Sequence, residues 1–112
     1  MLIEVTDHDG VAVLSLTGDA MGGPDGSVLH EKLRELRAQG HRHVVVDLDG
    51  VERMNSSGLG MLIGALTTAR NAGGDLRLAA VGDRIATLLE VTRLDAVFQS
   101  FDTVDAAVAS YG

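Results

Sequence analysis

The passage that most restricts the fold runs from His43-Val44-Val45-Val46-Asp47-Leu48 through Met54-Asn55-Ser56-Ser57-Gly58-Leu59-Gly60 into Leu62, Ile63 and Leu66. Its first part is rich in β-branched residues and long enough for a buried strand, while the apolar residues from Leu59 onward recur at helical spacing. A strand therefore hands over to a helix, and two adjacent hydroxyls stand at the handover. Asn and Ser are favoured helix caps because their side-chain oxygens accept hydrogen bonds from the first unpaired backbone N–H groups. One cap needs one residue, however. Here Asn55, Ser56 and Ser57 are all small and polar, and Gly58 and Gly60 behind them are poor helix formers. An exposed hydroxyl with a purpose beyond capping is expected.

The rest of the chain supplies the partners for this unit. Leu2 to Thr6 and Val11 to Leu16 flank Asp7-His8-Asp9-Gly10, the turn chemistry of a β-hairpin. Residues 17–26 hold the only proline and several glycines and read as a long loop. A first helix is expected from Ser27 to about Gln39, buried through Val28, Leu29, Leu33 and Leu36, with Gly40 at its stop. The second helix, roughly 56 to 72, carries Gly60, Gly64, Ala65, Ala69 and Ala72 and is expected to pack its small side closely on a sheet. Asp75 to Val81 reads as a strand, Asp83 to Thr92 as a helix, Val97 to Phe101 as a short strand, and Thr103 to Ser110 as a last helix capped by Asp102. The alternation predicts an α/β fold in one domain, 1–112, with a mixed sheet of four to five strands and four helices against it. Functional loops in such sheets lie at the carboxyl ends of strands, where the serine pair stands.

Composition narrows the functions. Nine basic against sixteen acidic side chains give a formal charge of −7, which repels nucleic-acid backbones and anionic membranes. Two Phe, one Tyr and no Trp offer no stacking platform for bases. The absence of cysteine excludes disulfides and thiolate metal sites. No apolar run approaches the roughly 20 residues of a membrane span, and Met1-Leu2-Ile3-Glu4-Val5 leads straight into a strand pattern, so a cytoplasmic protein without a secretory leader is expected.

Catalytic readings fare poorly. A phosphate cradle of the Gly-x-x-x-x-Gly-Lys-Ser/Thr type lacks its pattern and any lysine near positions 54–60, and Asn55-Ser56-Ser57-Gly58 lacks the first glycine of a nucleophile elbow. His8, His30, His41 and His43 are scattered. His41 and His43 would share a strand face, yet no carboxylate or cysteine completes a metal motif, and a solvated or satisfied pair is the simpler reading. Asp47 and Asp49 could form a paired-carboxylate or Mg²⁺ site, but strand-end acids also serve turns and caps. No catalytic residue, metal or cofactor is therefore assigned.

The remaining role for Ser56 is that of phosphoryl acceptor. A phosphoserine adds about −1.5 to −2 charges, and at a helix N-terminus these meet the positive end of the dipole, so the fold tolerates them. The added charge then acts on an approaching surface, as a switch for binding.

On Val44-Val45-Val46-Asp47-Leu48, Asn55-Ser56-Ser57-Gly58-Leu59-Gly60, Gly73-Gly74-Asp75-Leu76-Arg77-Leu78, Arg84-Ile85-Ala86-Thr87-Leu88-Leu89 and Thr92-Arg93-Leu94, the chain resembles the STAS domain of bacterial anti-sigma factor antagonists over almost its whole length. The resemblance implies a small α/β domain that binds an anti-sigma factor with serine kinase activity and so frees a sigma factor. It implies that the kinase phosphorylates Ser56, that a serine phosphatase reverses this, and that this chain is substrate and not enzyme. Partner contacts would fall on Asn55, Ser56, Ser57, Gly58, Leu59 and Met61, with Asp19 and Met21 from the loop at 18–21. The family places Asp before the phosphorylated serine, where this chain has Asn55, and an acid where it has Met21. The Asn55 difference keeps open a constitutive scaffold without a phosphorylation cycle. The glycine-rich loop, Asp47 and Ser56 keep open the binding of a small ligand such as a nucleotide or lipid.

Overall fold

Asp9 and Gly10 both take positive φ, 54° and 86°, the geometry of a tight hairpin turn whose twist matches that of its strands. In the computed structural model, which describes residues 1–112, this turn pairs β1 (Leu2–His8) with β2 (Val11–Thr17) in unbroken antiparallel register, from Leu2 opposite Thr17 to His8 opposite Val11. The chain continues through α1 (Pro24–Ala38), β3 (His43–Gly50), α2 (Ser56–Asn71), β4 (Asp75–Ala79), α3 (Asp83–Val91), a 3-10 turn (Leu94–Ala96), β5 (Ser100–Phe101) and α4 (Val104–Ala109). Strand order in the sheet is β1-β2-β3-β4-β5, and every pair after the hairpin is parallel. The α/β class and the mixed sheet with four helices expected from the sequence are present.

Each parallel crossover steps to the next strand in the same direction. Because such crossovers are right-handed, α1, α2 and α3 fall on one face of the sheet. Alternate strand residues supply that face: Leu14 and Leu16, Val44, Val46 and Leu48, Leu76 and Leu78, packed against Leu29, Leu33, Leu62, Leu66, Ile85 and Leu89 of the helices. Each such fully buried side chain contributes about 1.5–3 kcal/mol. After β5 the chain turns back, and α4 covers a smaller cluster of Val11, Val13, Val45, Ala79 and Ala107 on the other face. Tyr111 completes this layer: its hydroxyl donates to the Val44 carbonyl at 2.8 Å, its ring stacks on His43 at 4.4 Å, and the Arg77 guanidinium lies 4.0 Å from its centroid.

Several expected boundaries move. Helix α1 begins at Pro24, since proline's fixed φ suits the first turn, which shortens the preceding loop to residues 18–23. Strand β4 ends at Ala79 because Ala80 turns to φ 54°. The left-handed Arg93 and the 3-10 turn reduce the last strand to two residues. The cap of α4 is Thr103, whose Oγ1 accepts from the Ala106 N–H at 3.1 Å, and not Asp102. The small residues of α2 are divided: Ala65 is buried with Gly58, Leu59, Leu62 and Leu66 and Ala69 packs against the core, whereas Gly60 and Gly64 are exposed with no atom near a would-be Cβ.

Candidate functional site

The link from β3 to α2 is seated by the loop after β2. Gly18 N–H donates to the Gly50 carbonyl at 3.0 Å, Ala20 N–H to the Arg53 carbonyl at 2.9 Å, and Ala20 and Met54 form an isolated parallel bridge. These bonds set the 18–23 loop beside the start of α2. Asn55 caps that start with an extended backbone, its Oδ1 accepting from Gly58 N–H at 2.9 Å. The capping role is thus filled by Asn55 alone.

Ser56 and Ser57 are the first two helical residues, both exposed. Their surroundings differ. A Cβ at Gly22 would lie 2.5 Å from Ser57 Cβ, so the loop shoulders Ser57 while Ser56 stays open. Gly22 itself has φ 80°, a conformation that favours glycine, so both its backbone and its lack of side chain are needed. Gly58 is buried because the Ala20 carbonyl occupies the space of its absent side chain. The glycine that looked like a helix breaker in the sequence is a close-approach residue.

The electrostatics single out α2. The first turns of α1, α3 and α4 contain Asp25, Asp83 and Asp105, whereas the first turn of α2 contains no acid. Its partial positive charge is therefore uncompensated by any carboxylate of its own turn.

The other residues named from the sequence are placed as follows. Met21 is 39% exposed and precedes Gly22, the residue that abuts Ser57, and Met61 is half-buried one turn further along α2. Leu59 lies in the core at 4% exposure and supports the helix start from beneath instead of reaching the surface. Asp19 is exposed and 4.0 Å from the Arg53 guanidinium, a contact worth little in water. Asp47 is occupied locally, accepting from Asp49 N–H at 3.0 Å and from the Ser15 hydroxyl at 3.3 Å. His41 and His43 part company, His41 lying 3.4 Å from the Gly10 carbonyl and His43 under Tyr111. Ala20, Gly22 and Met54 were not singled out in the sequence. An apolar residue within a glycine-rich loop was the available signal for Ala20.

The site thus lies on a small mixed sheet with three helices on one face, and an exposed serine opens the central one. A profile of the STAS domain matches residues 3–107, and the chain belongs to that family. It is 38% identical over 66 residues to an anti-sigma-B factor antagonist of Staphylococcus aureus, a stretch covering 59% of this chain and 61% of that relative. The chain thus spans about three fifths of that relative's length. The crystal structure of an anti-sigma factor antagonist from Mycobacterium paratuberculosis superposes with TM-score 0.81 at 28% identity, covering 97% of this chain and 92% of the other. The Bacillus cell fate determinant SpoIIAA in its phosphorylated form shares the fold, with TM-score 0.74 at 15% identity, covering 99% and 100% of the two chains.

Proposed function

We propose that this chain is an anti-sigma factor antagonist: unmodified, it binds an anti-sigma factor serine kinase and releases the sigma factor, and phosphorylation of Ser56 ends that binding. The observation that carries the reading is the state of Ser56, an exposed hydroxyl left free by the Asn55 cap, opening the one helix of the four without a first-turn carboxylate. In the transfer, Ser56 Oγ attacks the γ-phosphorus of ATP held by the kinase, the bond to ADP breaks, and the hydroxyl proton leaves to a base of the kinase. A serine phosphatase returns the hydroxyl with water. The chain supplies the acceptor and needs no cofactor of its own.

The new dianion meets the positive end of α2, an interaction of about 0.3–1 kcal/mol at an exposed site, so the fold survives modification. The partner instead meets a desolvation cost and a charge that its surface was not shaped for. No helix of the chain is long and apolar enough to cross a membrane. The reading places the protein in the cytoplasm with its partners.

Two experiments test this. Site-mapped intact mass of the protein from its own cells, under phosphatase inhibition, is expected to find one phosphate on Ser56. In titrations with the anti-sigma factor kinase of those cells, Ser56→Asp abolishes binding and Ser56→Ala retains it; equal binding by both would refute the switch. Asn55 favours a second reading, a scaffold without a phosphorylation cycle, which predicts unmodified protein in every growth condition and complexes indifferent to ATP.

A further inference from the structure

The two edges of the sheet meet solvent differently. At one, β5 is two residues long, and so short an edge offers little to pair with. At the other, β1 keeps an unbroken register with β2 over seven residues, without a bulge, a proline or a lysine to guard it. Leu2, Glu4, Val5, Thr6 and Asp7 are all exposed there.

The ladder decides which backbone groups this edge presents. In a two-residue hairpin the closing pair, here His8 and Val11, exchanges hydrogen bonds, and bonded pairs alternate from it along the strands. Thr6, Glu4 and Leu2 therefore turn their N–H and C=O groups toward β2, and Ile3, Val5 and Asp7 turn theirs outward. The Gly18 and Ala20 N–H groups, which donate to the Gly50 and Arg53 carbonyls, keep the same alternation beyond the end of β2. None of the outward groups of Ile3, Val5 and Asp7 finds a partner in a turn, loop or cap of the chain.

These three residues are spaced evenly about Val5, which makes the edge self-complementary. A second copy of β1, laid antiparallel with Val5 on Val5, sets Ile3 against Asp7 and Asp7 against Ile3, and every outward group on one strand meets one on the other. On the opposite face Glu4 meets Thr6 and Leu2 meets His8, so no acid stands directly against an acid. A slide of two residues one way opposes Glu4 to Glu4, which is destabilising. A slide the other way moves Ile3 off the strand onto the turn residue Asp9. Leu2, Val5 and Val28, at 66%, 40% and 47% exposure, supply apolar surface beside the pairing line. Val28 stands one turn beyond Asp25, whose carboxylate lies 3.8 Å from the Met1 amino group, so it borders the start of β1.

We infer that β1 is a self-association edge, through which two copies of this chain join about a two-fold axis at Val5 and merge their five-stranded sheets into one. The axis stands perpendicular to the sheet, so the helices of both copies lie on one face while their strands run in opposite directions. The two Ser56 loops then open at opposite ends of the dimer, and neither blocks the other. A single strand edge lies at or below the roughly 1,200 Å² where stable interfaces begin, and a net charge of −7 on each copy opposes the pairing, so the dimer is weak and is strengthened by salt.

Sedimentation equilibrium of the purified chain up to about 1 mM is expected to show reversible dimerisation that tightens as salt is raised. Val5→Lys, which sets two ammonium groups at the axis, weakens it tenfold or more, and Val5→Pro does the same without removing a bond to β2; circular dichroism checks that both remain folded. Because the chain has no cysteine, single replacements report the register. Under mild oxidation Val5→Cys links to its counterpart, whose Cα lies about 5.5 Å away, whereas Thr6→Cys, with its counterpart at a diagonal of about 7–8 Å, stays monomeric. Ser56→Asp dimerises like the parent, which separates this edge from the reading of Ser56. A chain that is monomeric at about 1 mM, a dimer that both Val5 variants leave intact, or equal linkage through positions 5 and 6 overturns the pairing. A dimer lost in Ser56→Asp also overturns it, by placing the interface at the serine loop.

Discussion

The Ala20 carbonyl rests against the backbone of Gly58 in the space where any other residue would begin its side chain. This contact joins the loop after β2 to the first turn of α2, and it makes Gly58 the residue least replaceable at the site. In Gly58→Ala the obstacle is a backbone carbonyl that cannot rotate away. Overpacking of this kind costs about 1–3 kcal/mol, and with backbone on the far side the upper part of that range exceeds the gain of about 1 kcal/mol in helix propensity. Denaturant titration should therefore find Gly58→Ala less stable than the parent. Amide hydrogen exchange should rise at residues 18–23, the segment pushed aside. Unchanged stability and exchange would mean that the loop is not seated as described.

Gly64 makes the opposite case within the same helix. It is exposed, and a Cβ there would meet nothing. Gly64→Ala should stabilise the protein by about 0.5–1 kcal/mol through helix propensity and reduced freedom of the unfolded chain. Thermal unfolding should shift upward by several degrees, given that 1 kcal/mol moves Tm by roughly 4–8 °C in a small domain. A lowered Tm would place Gly64 against an atom of the fold.

The division of labour between Asn55 and Ser56 predicts a matching division of effects. Asn55→Ala removes the acceptor for Gly58 N–H and should cost about 1 kcal/mol. Asn55→Asp keeps the acceptor and adds a charge at the positive end of α2, so its stability should equal or exceed that of the parent. Ser56→Ala, whose hydroxyl caps nothing, should stay within about 0.5 kcal/mol. Urea unfolding of the three variants decides it, and a larger loss in Ser56→Ala than in Asn55→Ala would transfer the capping role to the serine.

The sequence made the succession of strands and helices along the chain and the handover at Asn55 legible because both rest on local signals: apolar runs along β2 and β3, helical spacing from Leu59, and cap chemistry. It also made the exposure of the Ser56 hydroxyl legible, since one cap among three small polar residues leaves the others free. The meaning of the glycines was not legible. Gly58 and Gly64 look alike in a sequence, and only the position of Ala20, 38 residues upstream of Gly58, separates a close approach from an open surface. The short last strand was overestimated for a related reason. Val97 and Phe98 have strand-like side chains, but Arg93 turns left-handed and starts a 3-10 turn, which places Phe98 in the main core. The role of Tyr111, joined to Val44 and His43 more than sixty residues away, had no local signal at all.

Tyr111 gives the chain a predicted alkaline limit. Burial, then the Asp75 carboxylate, raises its phenol well above the ordinary value of about 10, with Arg77 acting in the opposite sense. A group whose folded pKa lies above its unfolded one holds its proton longer in the native state. Between those values the native state binds more protons than the unfolded one, so stability falls as pH rises. The contribution is complete below about pH 10, where the phenol is protonated in both states, and declines above it. Ionisation also removes the donor from the Val44 carbonyl. Because the chain has one tyrosine and no tryptophan, its near-ultraviolet tyrosinate absorbance reports on Tyr111 alone. The native protein should show this absorbance rising at higher pH than the urea-unfolded chain, and chemical stability should fall over the same interval. Tyr111→Phe should be less stable at neutral pH by about 1 kcal/mol, from the lost hydrogen bond, and should lose the tyrosine part of the alkaline decline. Titration of the native phenol near its ordinary value would show that α4 and Tyr111 do not hold to the sheet, and the second layer of the fold would have to be revised.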